Sequence, residues 1–303
     1  MLHSLVVLAL LILFAQGVLH NSDAAEIDKP NVQHLILVVL ENQDYESVVG
    51  HKYFADLAVR GALFTDSSAI RHPSYPNYVA LIAGDPRGIW NDTQIILTKR
   101  SIADLLEAKN LTWKNYAEGY PGGKEHCFLG DENPSTGYVR RHVPFLSFET
   151  IQKSQARCAN VVDGTQFTQD KDQHHLPTFA FYSPDLCHSG HGGQPFCAFS
   201  SHADERTRLN AAATWLDGFL TPLLGDRQFM QDAVVIVTFD EADNSNPLTN
   251  KVYTVFLGGM IKPGRYNEHI DHYRILRTVE YLFSLGTLGE NDDHRDPILT
   301  VWK

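Results

Sequence analysis

Three apolar runs in this chain end in acidic or amide side chains. His34–Leu40 (HLILVVL) leads into Glu41-Asn42, Ala233–Phe239 (AVVIVTF) into Asp240-Glu241, and residues 178–182 (TFAFY) into Ser183-Pro184-Asp185, with His188 and His191 close behind. Carboxylates gathered in one place repel one another, and a hard divalent cation, which prefers oxygen ligands, relieves that repulsion. Each pair alone reads as a solvated strand end. Its repetition predicts a divalent metal site built from Glu41, Asn42, Asp240 and Glu241. A second segment, Arg71-His72-Pro73-Ser74-Tyr75-Pro76-Asn77-Tyr78, leads into an apolar stretch and Gly84. A Ser with Pro two residues on suits a helix start. The N–H groups and dipole there favour an anion such as phosphate. On that segment alone, a simple N-cap is the plainer reading of Ser74. Asp271-His272-Tyr273 stands at another helix start, where by itself it reads as a capping Asp and a surface His. The chain contains no G-x-S-x-G nucleophile elbow and no G-x-x-x-x-G-K-[ST] phosphate loop.

The elements that must position these residues follow from periodicity. Continuous Val/Leu/Ile-rich runs at 34–40, 233–239, 252–257 and 178–182 suit strands buried on both faces. Residues 53–59, 101–109, 203–224 and 273–285 place apolar side chains at helical spacing. Strands alternating with helices predict an α/β fold, a mainly parallel sheet covered on both faces. Ligands of such sheets sit beyond the carboxyl ends of the strands, where the acidic pairs fall. Residues 119–177, rich in Gly, Pro, Asn and His, read as a loop-rich insertion over the sheet edge.

The 303 residues carry 25 Lys and Arg against 36 Asp and Glu, a net charge of −11, with an apolar fraction of 43%. This is a globular composition, and the acidic balance argues against nucleic acid as a partner and against a polybasic membrane-surface protein. Residues 5–15 form eleven consecutive apolar residues, short of the roughly 20 that span a bilayer. With small residues at Gly17 and Ala24, the stretch 1–24 reads as a secretory signal peptide, leaving 25–303 as one domain. No later segment is apolar enough to cross a membrane. Export fits four cysteines, Cys127, Cys158, Cys187 and Cys197, an even number that reads as two disulfides. Three pairings are open, and the sequential one is favoured. Asn91-Asp-Thr and Asn110-Leu-Thr are glycosylation sequons in a eukaryotic host.

Taken in order, several segments form a pattern: Leu40-Glu41-Asn42, His72-Pro73-Ser74-Tyr75-Pro76-Asn77-Tyr78, His142-Val143-Pro144-Phe145, Pro184-Asp185-Leu186-Cys187 through Gly190-His191, Thr238-Phe239-Asp240-Glu241, Gly258-Gly259, and His272-Tyr273-Arg274-Ile275-Leu276-Arg277-Thr278. Their order over more than two hundred residues resembles the secreted acid phosphatases of the phosphoesterase family, which also contains bacterial phospholipases C. The Ser-x-Pro-Asn stretch is similar to the nucleophile turn of nucleotide pyrophosphatases in the wider alkaline-phosphatase-like superfamily. The resemblance implies a three-layer sandwich around a mainly parallel sheet. It further implies a secreted, vacuolar or lysosomal phosphomonoesterase acting on small phosphate monoesters through a phosphoserine at Ser74, with Glu41, Asn42, Asp240 and Glu241 as ligands of a divalent metal. Asn77, His191 and His272 match positions near the bound phosphate, and His191 or His272 would protonate the leaving group. Histidines charged at mildly acidic pH suit an acidic optimum. The chain departs from the pattern at His188-Ser189, where relatives often have Asn-Asp, and at Gly192, where many have Asp. The nearest competing activity is that of a phospholipase C-type phosphodiesterase. A non-catalytic binding protein of the same fold is the reading from another class.

Overall fold

In the computed structural model, which describes residues 29–123, 126–192, 197–199, 202–243 and 249–303, the apolar runs lie at the centre of an eight-stranded sheet. The predicted leader, 1–24, falls outside the described residues. The strands are β1 (His34–Leu40), β2 (Ala62–Ser68), β3 (Trp113–Ala117), β4 (Glu132–Asn133), β5 (Tyr138–Val139), β6 (Val161–Asp163), β7 (Phe179–Ser183), β8 (Ala233–Phe239), β9 (Thr254–Gly258) and β10 (Gly264–Asp271). The sheet order is β10-β2-β9-β8-β1-β7-β3-β6, with β4 and β5 as a separate ribbon. β9 alone runs antiparallel to its neighbours β8 and β2; the other five pairings are parallel. All the parallel strands therefore end at one edge.

Alternation along the central strands makes the three layers. Leu35, Leu37 and Val39 of β1, with Val234 and Ile236 of β8, face one core. Ile36, Val38 and Leu40, with Val235, Val237 and Phe239, face the other. Because both faces are covered, neither strand shows a polar alternation. The first face receives the helices α3 (Ser74–Ala83), α4 (Ile102–Ala108) and α9 (His272–Leu282). The second receives helix Lys52–Arg60 and the long helix Glu205–Gly225. All ten residues of α3 are buried, as expected of a helix that is apolar on every side.

The segment 119–177 reaches the sheet edge and the core beneath it. It supplies β6, the edge strand paired with β3, and the fully buried Phe145, Leu146 and Phe148. It belongs to the body of the domain, since its few aromatic residues are enough to seat it on the core between glycine-rich turns. The sequential disulfides form, Cys127–Cys158 and Cys187–Cys197. Both sequon asparagines, Asn91 and Asn110, are exposed. Among the described residues no helix is long and apolar enough to cross a membrane.

Candidate active site

β1 and β8 lie side by side in register, Leu40 opposite Phe239, so the next residues of each strand, Glu41-Asn42 and Asp240-Glu241, emerge together. The Asp240 N–H donates to Leu40 O at 2.9 Å and holds the two strand ends level. Asn42 takes a left-handed backbone, φ 43°, which Asn tolerates better than most side chains. The turn aims its N–H at Asp240 Oδ1 (3.1 Å) and its side-chain amide at Glu241 Oε1 (3.1 Å).

β2 and a short loop bring Ser74 to the same place. Ser74 is the first residue of α3, and its side chain caps no amide of its own helix. It therefore departs from the N-cap reading. Its Oγ faces Glu41 Oε2 at 3.2 Å, Glu241 Oε1 at 3.2 Å and Asn42 Oδ1 at 3.4 Å. One hydroxyl proton cannot serve three acceptors. Glu41, Asp240 and Glu241 are fully buried. Glu41 Oε1, Asp240 Oδ2 and Glu241 Oε2 are buried without a hydrogen-bond donor. Burial pushes the Glu41 carboxyl well above its ordinary range, with the charge of Asp240 adding to it. Burial likewise raises Asp240 to about 7, and burial with the Asp240 charge raises Glu241 to about 9. Carboxylates in this state demand either protons or a cation. An all-oxygen donor set with orphaned buried oxygens fits a hard divalent ion.

Histidines surround this cluster. His72 Nδ1 stands 2.5 Å from Glu241 Oε2 and His142 Nε2 3.1 Å from Glu41 Oε1, both outside hydrogen-bond geometry. The His142 ring stacks on Tyr78 at 4.8 Å. His272, fully buried, holds Asp240 O through Nε2 at 2.7 Å. His191 contacts Gly192 O through Nδ1 at 3.1 Å. Burial lowers the pKa of all four imidazoles. Desolvation thus works against charging these imidazoles, and an anion bound beside them works the other way.

The expected role of Asn77 as a phosphate donor does not fit its contacts. Its Oδ1 accepts from the N–H groups of Ile70 and Arg71 (2.9 and 3.1 Å). Its Nδ2 donates to Arg71 O and Pro73 O (2.7 and 3.1 Å). Fully buried, it braces the loop that carries His72. The family resemblance made it look like a substrate donor, and only the fold reveals that its amide is already engaged.

The loop after β7 is tied to the cluster. Glu41 N–H donates to Ser189 O at 2.9 Å, and Gln43 Nε2 to Gly190 O at 2.9 Å. Gly190, at φ +97°, brings its Cα against Glu41, where a Cβ would lie 3.2 Å from Glu41 O. Glu118, following β3, anchors the loop: it accepts from Asp185 N–H (3.0 Å), Trp215 Nε1 (2.7 Å) and, through His188, at 2.8 Å. Glu118, Asp185 and His188 bring ligand-type atoms within 4.8 Å of one another, a group of the kind that can hold a metal ion. Burial lowers the His188 pKa, but its hydrogen bond to Glu118 and the charges of Glu118 and Asp185 outweigh that and raise it overall. Sequence reasoning missed Glu118 entirely. It gave no role to His72 or His142, although both stand within motifs that flank the site.

The phosphoesterase family model matches residues 51–286. The chain is 31% identical to a probable acid phosphatase of Kluyveromyces lactis over 88% of its own length and 62% of the relative's. It is 32% identical to an acid phosphatase of Aspergillus fumigatus over 84% and 56%. A phosphatidylinositol-3-phosphatase of Mycobacterium tuberculosis is 29% identical over 90% of this chain and 84% of that one. The chain thus spans about six tenths of the length of the fungal relatives it matches. In architecture it is similar to a protein of the alkaline phosphatase superfamily from Vibrio parahaemolyticus, with TM-score 0.60 and 13% identity over 89% of this chain and 71% of that one.

Proposed function

This chain belongs to the phosphoesterase family, and from that premise we propose that it is a phosphomonoesterase, an acid phosphatase that uses Ser74 as nucleophile. The observation that carries the reading is the Ser74 hydroxyl facing oxygens of Glu41, Asn42 and Glu241 within 3.2–3.4 Å. Glu41, Asn42, Asp240 and Glu241 would hold a divalent cation, which neutralises phosphate charge and lowers the pKa of a nearby hydroxyl.

The chain's own residues account for the rest of the chemistry. Ser74 Oγ attacks phosphorus in line as the bond to the leaving oxygen breaks, and its proton passes to a neighbouring carboxylate oxygen. Burial of Ser74 keeps bulk water from competing at this step. His191, with Nδ1 on Gly192 O, delivers a proton from Nε2 to the leaving alkoxide. Burial disfavours its charged form, and a phosphate dianion beside it favours imidazolium. Water then cleaves the phosphoserine, releasing phosphate and restoring the hydroxyl. His272 acts through Asp240, whose carbonyl it holds, and Asn77 keeps the His72 loop in place.

Two disulfides fit an oxidising compartment; the reading includes release outside the cell or into a vacuolar or lysosomal lumen, after loss of a leader at 1–24. Relatives named as phosphatases favour monoesters over the phospholipase C alternative. The assembled nucleophile and carboxylates disfavour a non-catalytic protein. Phosphate release from an aryl monoester, compared with phosphatidylcholine cleavage across pH with and without chelator, tests this. Monoester turnover abolished by chelator supports it; diester cleavage alone, or no turnover, overturns it.

A further inference from the structure

Arg141 is a cation whose charge bears on three residues of the site. It lies in the short turn Arg140–His142, directly before the histidine beside Glu41. Its charge works against burial at Glu41, and adds to burial at His142 and His191. Its side chain is only 23% exposed, and its Nε is buried with no hydrogen-bond partner. Among the described residues it pairs with Asp92, whose Oδ2 is 3.8 Å from that nitrogen, too far for a charge-assisted hydrogen bond, which closes to about 2.7–2.9 Å. The other oxygen of Asp92, Oδ1, accepts from the backbone N–H of Tyr75 at 3.0 Å. That amide belongs to the residue after Ser74, in the first turn of α3. Asp92 is also felt at Asp240, Glu241 and His191, raising each of them. One carboxylate thus bridges the two groups, a helix-start amide and a guanidinium, that an oxyanion beside Ser74 would use.

We propose that Arg141 and Asp92 form the subsite that recognises the substrate's phosphate and selects monoesters over diesters: Arg141 binds a non-bridging oxygen, and Asp92 is the internal anion that yields this place when phosphate arrives. The inference rests on the phosphatase reading and adds its specificity. A monoester phosphate carries three non-bridging oxygens and close to two charges; a diester has two such oxygens and one charge. A cation set beside the nucleophile, apart from the carboxylate cluster, therefore contributes more to the monoester. Asp92 opposes phosphate by like charge, so the pair sets the affinity as well as the selectivity.

The test uses the full chain and two substituted versions of it, with inorganic phosphate as the binding probe and an aryl phosphate and a bis-aryl phosphate as substrates. Arg141→Gln lowers kcat/KM for the monoester roughly 10- to 100-fold, the scale of a lost charged hydrogen bond, and that for the diester far less. Asp92→Asn keeps an oxygen for the Tyr75 amide, removes the charge, and tightens phosphate binding measured by calorimetry. An unchanged monoester-to-diester ratio in Arg141→Gln, or phosphate binding in Asp92→Asn equal to or weaker than in the parent, overturns the proposal. Should Arg141→Gln not fold, the Asp92→Asn calorimetry decides alone. Because that arm needs no turnover, a protein that binds phosphate in this pattern yet cleaves no ester refutes the activity and leaves the subsite standing.

Discussion

Ser74 Oγ and Glu241 Oε1 lie 3.2 Å apart across 167 positions of sequence. The contact exists because β2 delivers Ser74 and β8 delivers Glu241 to the same edge of one sheet. It places a nucleophile type against a carboxylate that lacks enough donors. Removing the hydroxyl should therefore end the chemistry without harming the fold. Ser74→Ala is expected to lose aryl phosphate turnover by roughly 1,000-fold or more, on the scale seen when a nucleophile is deleted, with its melting temperature within a few degrees of the parent. Turnover close to the parent's would remove Ser74 from its role.

The proposed cation site makes metal retention a test of the buried carboxylates. Asp240 Oδ2 has no donor, and replacing the acid by an amide takes away a charge the ion needs. Elemental analysis of purified Asp240→Asn should find less bound divalent metal than in the parent, and chelation should leave the parent inactive until metal is restored. Equal metal in both proteins would contradict the ligand assignment.

Stability should fall towards alkaline pH through a group far from the site. Glu280 on α9 is fully buried. Burial first, and the neighbouring Asp292 second, push its carboxyl from 4.5 up to about 9. The folded chain then holds a proton that the unfolded chain releases above about pH 4.5, so the stabilisation is complete below that value and is lost as pH rises towards 9. Glu280→Gln needs no proton. It should be more stable than the parent at pH 8, by roughly 1–3 kcal/mol, with the difference closing near pH 4. Denaturant titrations at both values check the sign; a parent that is no less stable at pH 8 would refute the buried proton.

Cys187–Cys197 closes a short loop, with a sequence separation of 10, around the segment that carries His191. Chain entropy assigns such a link about 3 kcal/mol. Replacing both cysteines by alanine should lower the unfolding free energy on that scale. It should also reduce kcat more than it raises KM, because the tethered loop presents His191. Wild-type kcat in the double variant would separate the bridge from catalysis.

The sequence made the centre of this molecule readable and its margins much less so. β1 and β8 stand out because strands covered on both faces become unbroken apolar runs. β2 (ALFTDSS) and β10 (GRYNEHID) do not, since β2 turns polar halfway along and β10 is an exposed edge strand. The gathering of the acidic pairs at one place was legible because each follows a buried strand, and a parallel sheet gathers strand ends. The imidazoles of His72 and His142 were not. Their place beside Glu241 and Glu41 depends on how loops from other strands fold back. Asn77 misled for the complementary reason: a motif match marks a position beside the nucleophile, and that position suits a loop brace equally well. Glu118, Asp92 and Arg141 carry no signal of their own, and tertiary packing alone brings them to the site.

The most direct test of the central claim is a rapid acid quench of the enzyme turning over an aryl phosphate, followed by mass spectrometry of its peptides. The account predicts one added phosphoryl group on the peptide containing Ser74, located at that serine and absent without substrate. Steady turnover with phosphate on another residue, or with Ser74 unmodified at every quench time and a Ser74→Ala variant still active, would contradict it.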